Sequence, residues 1–185
     1  MYHQKQNLSI FFCRKKHGFD SIRGPLAWLE EARLCIKCCI VKKAQHPLLS
    51  YIDENKFKVF LFDIGLLNCL LDIPGESILE KRIGHYKGYI FENFIAQEIY
   101  AKTNKRLISW NEGIAEVEFL ITKGADIIPI EVKSAAKSKR ARSLDSFIKR
   151  YHPPLAYKLT RGNYGYEPER KIVTVPVYCG EKIFT

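Results

Sequence analysis

The sequence predicts an α/β domain in which a mixed β-sheet is flanked by helices. Three observations carry that expectation. An apolar stripe of helical period runs from about Gly88 to Lys102, with Phe91, Phe94, Ile95 and Ile99 at i, i+3, i+4 and i+8. Three strand-like runs follow, RLISW, AEVEFLIT and DIIPIEVKS, the last two joined by Lys123-Gly124-Ala125, a tight hairpin signal. A second helical pattern, from about Ser138 to Tyr151, with Leu144, Phe147, Ile148 and Tyr151 on one face, then leads to two more strands, LAYKLT and KIVTVPV.

The elements before these are shorter. Gly24-Pro25 ahead of LAWLEEARLC reads as a helix start, with Pro at the first position. Cys35 to Val41 is a strand, KKAQHPLLSYIDEN a polar connector, and FKVFLFD a second strand. Asp63-Ile64-Gly65 turns into a short helix, LLNCLLD, ended by Pro74. Residues 1–23 show no clear period. The chain thus divides into a poorly defined segment 1–23, a helix, strand and connector over 24–55, and a main domain over 56–185.

The chain has 185 residues, of which 46% are hydrophobic and 12% aromatic, enough for a packed core and against wholesale disorder. Its longest apolar stretch, Val59 to Ile73, is broken by Asp63 and Asn68 and falls short of the roughly 20 residues that span a bilayer. The first residues lack the basic, apolar and small-residue layout of a signal peptide. These features predict a soluble cytoplasmic protein without a membrane partner. Six cysteines are dispersed, and only Cys35 and Cys38 have the C-x-x-C spacing. No second such pair and no close His pair completes a zinc site, and the pair enters an apolar strand rather than opening a helix. Structural thiols are the expectation, with a zinc or redox site as the alternative.

Charge is distributed unevenly along a chain of net charge +10. Residues 51–131 hold nine basic and thirteen acidic side chains, whereas residues 133–150 hold seven basic side chains against Asp145 alone. Acids in the middle followed at once by a basic block suit a site that holds cations on carboxylates and a polyanion on lysine and arginine. A solvated basic helix face is the plainer reading of the block itself.

Strand periodicity narrows the acids to a few. In AEVEFLIT, Val117, Phe119 and Ile121 share one face and Glu116, Glu118 and Leu120 the other, while Glu131 and Lys133 point together in DIIPIEVKS. If the hairpin pairs, Glu118 approaches Glu131 and Lys133, beside a helix that offers Glu92. Such a group is a hard-oxygen site for Mg²⁺ or Mn²⁺ held by Glu118 and Glu131, with Lys133 orienting water or stabilising a phosphate. A salt-bridge ladder across two strands would look much the same.

At these residues the chain resembles the PD-(D/E)xK nuclease superfamily, and more narrowly the uncharacterised domain at the C-terminus of many bacterial and archaeal AAA-type ATPases. The matching stretches are FKVFLFDIGLLNCLL, KGYIFENFIAQEIY, ISWNEGIAEVEFLI and IIPIEVKSAAKSKRARSLDSFIKRY. The resemblance implies a restriction-endonuclease-like fold preceded, over residues 24–55, by a winged-helix-like remnant of the ATPase. It assigns catalytic roles to Glu92, Glu118, Glu131 and Lys133, and nucleic-acid contacts, DNA before RNA, to Lys137, Lys139, Arg140 and Arg142. The family pattern has Asp where this chain has Glu118, whose extra methylene moves the carboxylate outward by roughly 1.5 Å. The chain has no G-x-x-x-x-G-K-S/T motif, so no ATP site is expected in it. Two functions follow: a metal-dependent phosphodiesterase that binds DNA, or a non-catalytic module of the same fold that binds nucleic acid, a protein, or the ATPase portion.

Overall fold

The computed structural model describes residues 19–72, 76, 86–135 and 141–184. Helix α1 spans Phe19–Glu31, strand β1 Cys35–Val41 and strand β2 Ile52–Leu61, with a 3₁₀ turn, Leu48–Tyr51, between the strands. Helix α2 covers Ile64–Leu70 and helix α3 Tyr86–Thr103. Strands β3 (Leu107–Glu112), β4 (Ala115–Val117), β5 (Phe119–Lys123) and β6 (Asp126–Val132) follow. Helix α4 (Arg142–Tyr151), strands β7 (Ala156–Thr160), β8 (Gly165–Glu167) and β9 (Ile172–Pro176), and a 3₁₀ segment, Val177–Ile183, complete the chain order. Among the described residues no helix is long and apolar enough to cross a membrane.

The mixed α/β class predicted above is what is seen, but the strands form two sheets. One has the order β2-β1-β3-β4 and the other β5-β6-β7-β9-β8. In each, parallel pairs (β1 with β3, β6 with β7, β7 with β9) lie between antiparallel outer pairs. The run AEVEFLIT is therefore not one strand. Its first half pairs with β3, its second half with β6, and Glu118 is the bend where the chain changes sheets. The bend also breaks the expected common face of Val117 and Phe119, which enter different apolar clusters.

Several local differences have plain causes. Helix α1 begins before the predicted start and takes in Pro25, which cannot donate to the carbonyl four residues earlier. It ends where Arg33 turns to φ +54° and Leu34 donates back to Leu29 at 2.9 Å, a closing turn of the Schellman type. Part of the predicted connector is strand, because Ile52 pairs with Val41 and β2 runs ten residues. Strand β8, three residues long, carries no sequence signal strong enough to predict it. Pro129 lies in an interior strand, not at an edge. It sits opposite Leu120, and pairing with β7 begins only at Ile130, so no ladder bond to β7 is lost.

Helix α3 holds the two sheets together. Ile95, Ala96 and Ile99 pack in one cluster with Ile36, Cys38 and Phe60 of the first sheet and Phe119, Ile130, Val132 and Leu159 of the second. Asn93 on the same helix is buried and clamps β2: its Oδ1 accepts from the Leu61 amide at 2.8 Å and its Nδ2 donates to the Leu61 carbonyl at 3.0 Å. On the other side α4 seats Phe147 edge-on to Trp110, with ring centroids 5.2 Å apart, in a cluster with Val41, Val117 and Leu120. Phe147→Ala is expected to cost about 3–5 kcal/mol by opening a cavity there. Urea melts of both proteins measure it, and a loss below about 1 kcal/mol would contradict this packing.

A candidate acidic site at the junction of the two sheets

Glu118 owes its position to the sheet change. Phe119 pairs with Ile130, so the next step of that register sets Glu118 opposite Glu131. The hairpin register holds because Gly124 takes φ +61° at the turn, placing Lys123 across from Asp126. One Glu118 carboxylate oxygen, Oε2, accepts from the Val132 amide at 3.4 Å; the other, Oε1, lies 3.7 Å from the Lys133 ammonium. Lys133 also forms an ion pair with Glu131. The expected approach of Glu118, Glu131 and Lys133 is therefore seen.

Glu131 is 2% exposed, and its Oε2 has no hydrogen-bond partner among the described residues. Burial first, then the adjacent Glu118 carboxylate, push its pKa up to about 8 against the opposing pull of Lys133. Glu92, from α3, joins the same electrostatic neighbourhood. Its pKa is pushed up to about 7, by burial first and by Glu118 and Glu116 besides, against the pull of Lys58. Contacts thus join Glu118, Glu131 and Lys133, and Glu92 is tied to them through its field.

Two members were not foreseen as site residues. Lys58 lies on β2, 5% exposed, and forms an ion pair with Glu116 of β4. Burial works against the Lys58 ammonium, but Glu116, then Glu92 and Glu118, outweigh it and hold its pKa above the ordinary lysine value. Lys58 and Glu116 lie on the two outer strands of the first sheet, β2 and β4, and Glu116 is level with Asn111 and not with the row of Lys58, Cys38 and Leu107, so their ion pair is not one of strand-to-strand register. A lysine inside the apolar run FKVFLFD was a visible signal, since charged groups are seldom fully buried without a partner. Glu116 was legible only as sharing a face with Glu118.

The remaining predicted residues divide. Arg142 opens α4 and is exposed, while Lys137, Lys139 and Arg140 lie outside the described residues. Cys35 packs with Leu26 and Phe57, and Cys38 in the main core with Ile36 and Phe60, so the two thiols enter different clusters. Burial raises the pKa of both.

Four carboxyls and two ammoniums leave the group formally two charges negative, with proton-retaining acids in its interior. Among the described residues no three His, Cys, Asp or Glu side chains stand close enough to ligate one ion. Glu131 Oε2, without a partner among the described residues, is an oxygen of the hard type that Mg²⁺ or Mn²⁺ takes.

Residues 87–179 match the family model described as a domain of unknown function, DUF4143, and the chain belongs to that family. No curated protein and no solved structure matches the chain.

Two outcomes follow from the charge balance. Glu131 holds its proton longer in the folded chain than in the unfolded one, so its contribution to stability is full below about pH 4.5 and lost as pH rises through about 8. Glu131→Gln should flatten the stability–pH curve across that window and raise the melting temperature at pH 8 relative to wild type; parallel curves would refute this. Lys58→Met leaves the half-buried Glu116 without its cation and should destabilise by about 1–3 kcal/mol, a cost that Lys58→Met combined with Glu116→Gln partly restores in denaturant melts.

Proposed function

We propose that this chain is a nuclease-like module of the PD-(D/E)xK type that serves an AAA-type ATPase, binds DNA and hydrolyses phosphodiesters with Mg²⁺ or Mn²⁺. The observation that supports it most is the meeting of Glu118, Glu131 and Lys133 from two strands of a hairpin, with Glu92 from a helix against them. A ladder of surface salt bridges would leave these groups in water, yet Glu131 is enclosed and Glu118 nearly so.

Glu118 and Glu131 would hold the cation, and Glu92 would set the field around it. A divalent ion bound there supplies a water of lowered pKa and charge neutralisation on the phosphate. Lys133, a third exposed, donates toward the phosphate oxygens or the attacking water from beside the carboxylates. Its ammonium must leave Glu131 to do so, and that exchange sets the ion's access. The exposed Arg142 at the start of α4, with Lys137, Lys139 and Arg140 just before it in sequence, supplies sequence-independent phosphate contacts.

A second reading, a non-catalytic module that binds nucleic acid or a protein, is favoured by one specific observation. Lys58 and Lys133 already pair with Glu116, Glu118 and Glu131, which leaves the group stable without an ion, and Glu118 stands where the family pattern has Asp. Incubation of plasmid or single-stranded DNA with the protein and Mn²⁺ separates the two. Cleavage that falls about a hundredfold or more in both Glu131→Ala and Lys133→Ala is expected. Binding without cleavage at any Mn²⁺ concentration would leave the non-catalytic module.

A further inference from the structure

The three parallel strands of the second sheet, β6, β7 and β9, end side by side, with Val132, Leu159 and Val175 level. Ligands of open α/β sheets lie outside such carboxyl ends. One residue earlier, Glu131 is level with Lys158, Lys158 with Thr174, and Thr174 with Gly165. Residues level on neighbouring strands share a face, so Glu131 shares its face of the sheet with a row of Lys158, Thr174 and a side-chain-free glycine.

Helix α4 covers this face only in part. Leu144 and Ile148 pack over Ala156 and Ile172, two residues before Lys158 and Thr174 and thus on their side of the sheet. Lys158 and Thr174 lie past that cover and are half-buried. Lys158 forms no ion pair among the described residues, in contrast to Lys58 and Lys133. A lysine on the neighbouring strand, about 4.8 Å away backbone to backbone, and without an ion pair among the described residues, is placed for a second anionic group on whatever ligand enters the acidic site.

We propose that Lys158 is a phosphate seat, holding the phosphate next to the one presented to Glu118, Glu131 and Lys133, so that a bound polynucleotide strand crosses β6, β7 and β9 along their carboxyl ends. The inference rests on the phosphodiester reading of the acidic site. Glutamate on one strand end and lysine on the next divide the work: one side meets the reacting phosphate, the other fixes its neighbour.

The test is fluorescence anisotropy of a labelled single-stranded DNA oligonucleotide, titrated without divalent metal at several salt concentrations. Each phosphate contact contributes about 0.7 to the slope of log affinity against log salt for a single strand. Lys158→Gln is expected to lower that slope by about this amount and Lys158→Arg to retain it. Lys102→Gln, which breaks the exposed pair with Glu181 near the end of α3, should match wild type. An unchanged slope in Lys158→Gln overturns the inference while leaving the acidic site untouched. Equal losses in the Gln and Arg variants also overturn it, since they would assign Lys158 a packing role. Wild-type protein that binds no oligonucleotide overturns the phosphodiester reading itself and this seat with it.

Discussion

Carboxylates gathered in an apolar interior coexist only where their charge is compensated on the spot. Here Glu92, Glu116, Glu118 and Glu131 meet Lys58 and Lys133, and the rest of the architecture depends on that balance. Removing an ammonium would leave buried negative charge, which costs far more than an exposed ion pair contributes. The raised pKa values of Glu92 and Glu131 are the second means of compensation. Where burial outweighs the pull of the nearby cation, a proton is retained.

The balance is spread over distant parts of the chain. Lys58 comes from β2, Glu92 from α3, Glu116 from β4, and Glu131 and Lys133 from the end of β6. The bend at Glu118 brings them to one place, because the strand leaving one sheet enters the other there. Asn93 and the apolar face of α3 then fix the helix across both sheets, so Glu92 is aimed by packing and not by its own contacts. Apolar burial supplies the stability that the charged group does not.

Much of this was legible in the sequence. The stripe on α3, the hairpin turn at Gly124 and the alternation around Glu131 are local patterns, and each predicted its element and face. The change of sheet at Glu118 was not legible, since a bend between two good strand formers leaves an unbroken β-favouring run. Lys58 escaped as a site residue for a related reason: its partner lies 58 positions later, on a strand that is not its neighbour in the sheet, and only the tertiary fold brings the two together. The same holds for Lys158, whose relation to Glu131 is one of register across a crossover. Local period finds side chains on one element, whereas coincidence between elements is decided by topology.

The seam at residue 118 has a mechanical consequence. Glu116 belongs to a ladder with β3, while Glu131 belongs to the ladder that starts one residue after the seam. Any rotation of one sheet against the other must therefore alter the spacing of these acids, although neither sheet need deform internally. Because the acidic group straddles the seam, a small angular displacement there would change how tightly opposite charges close on each other.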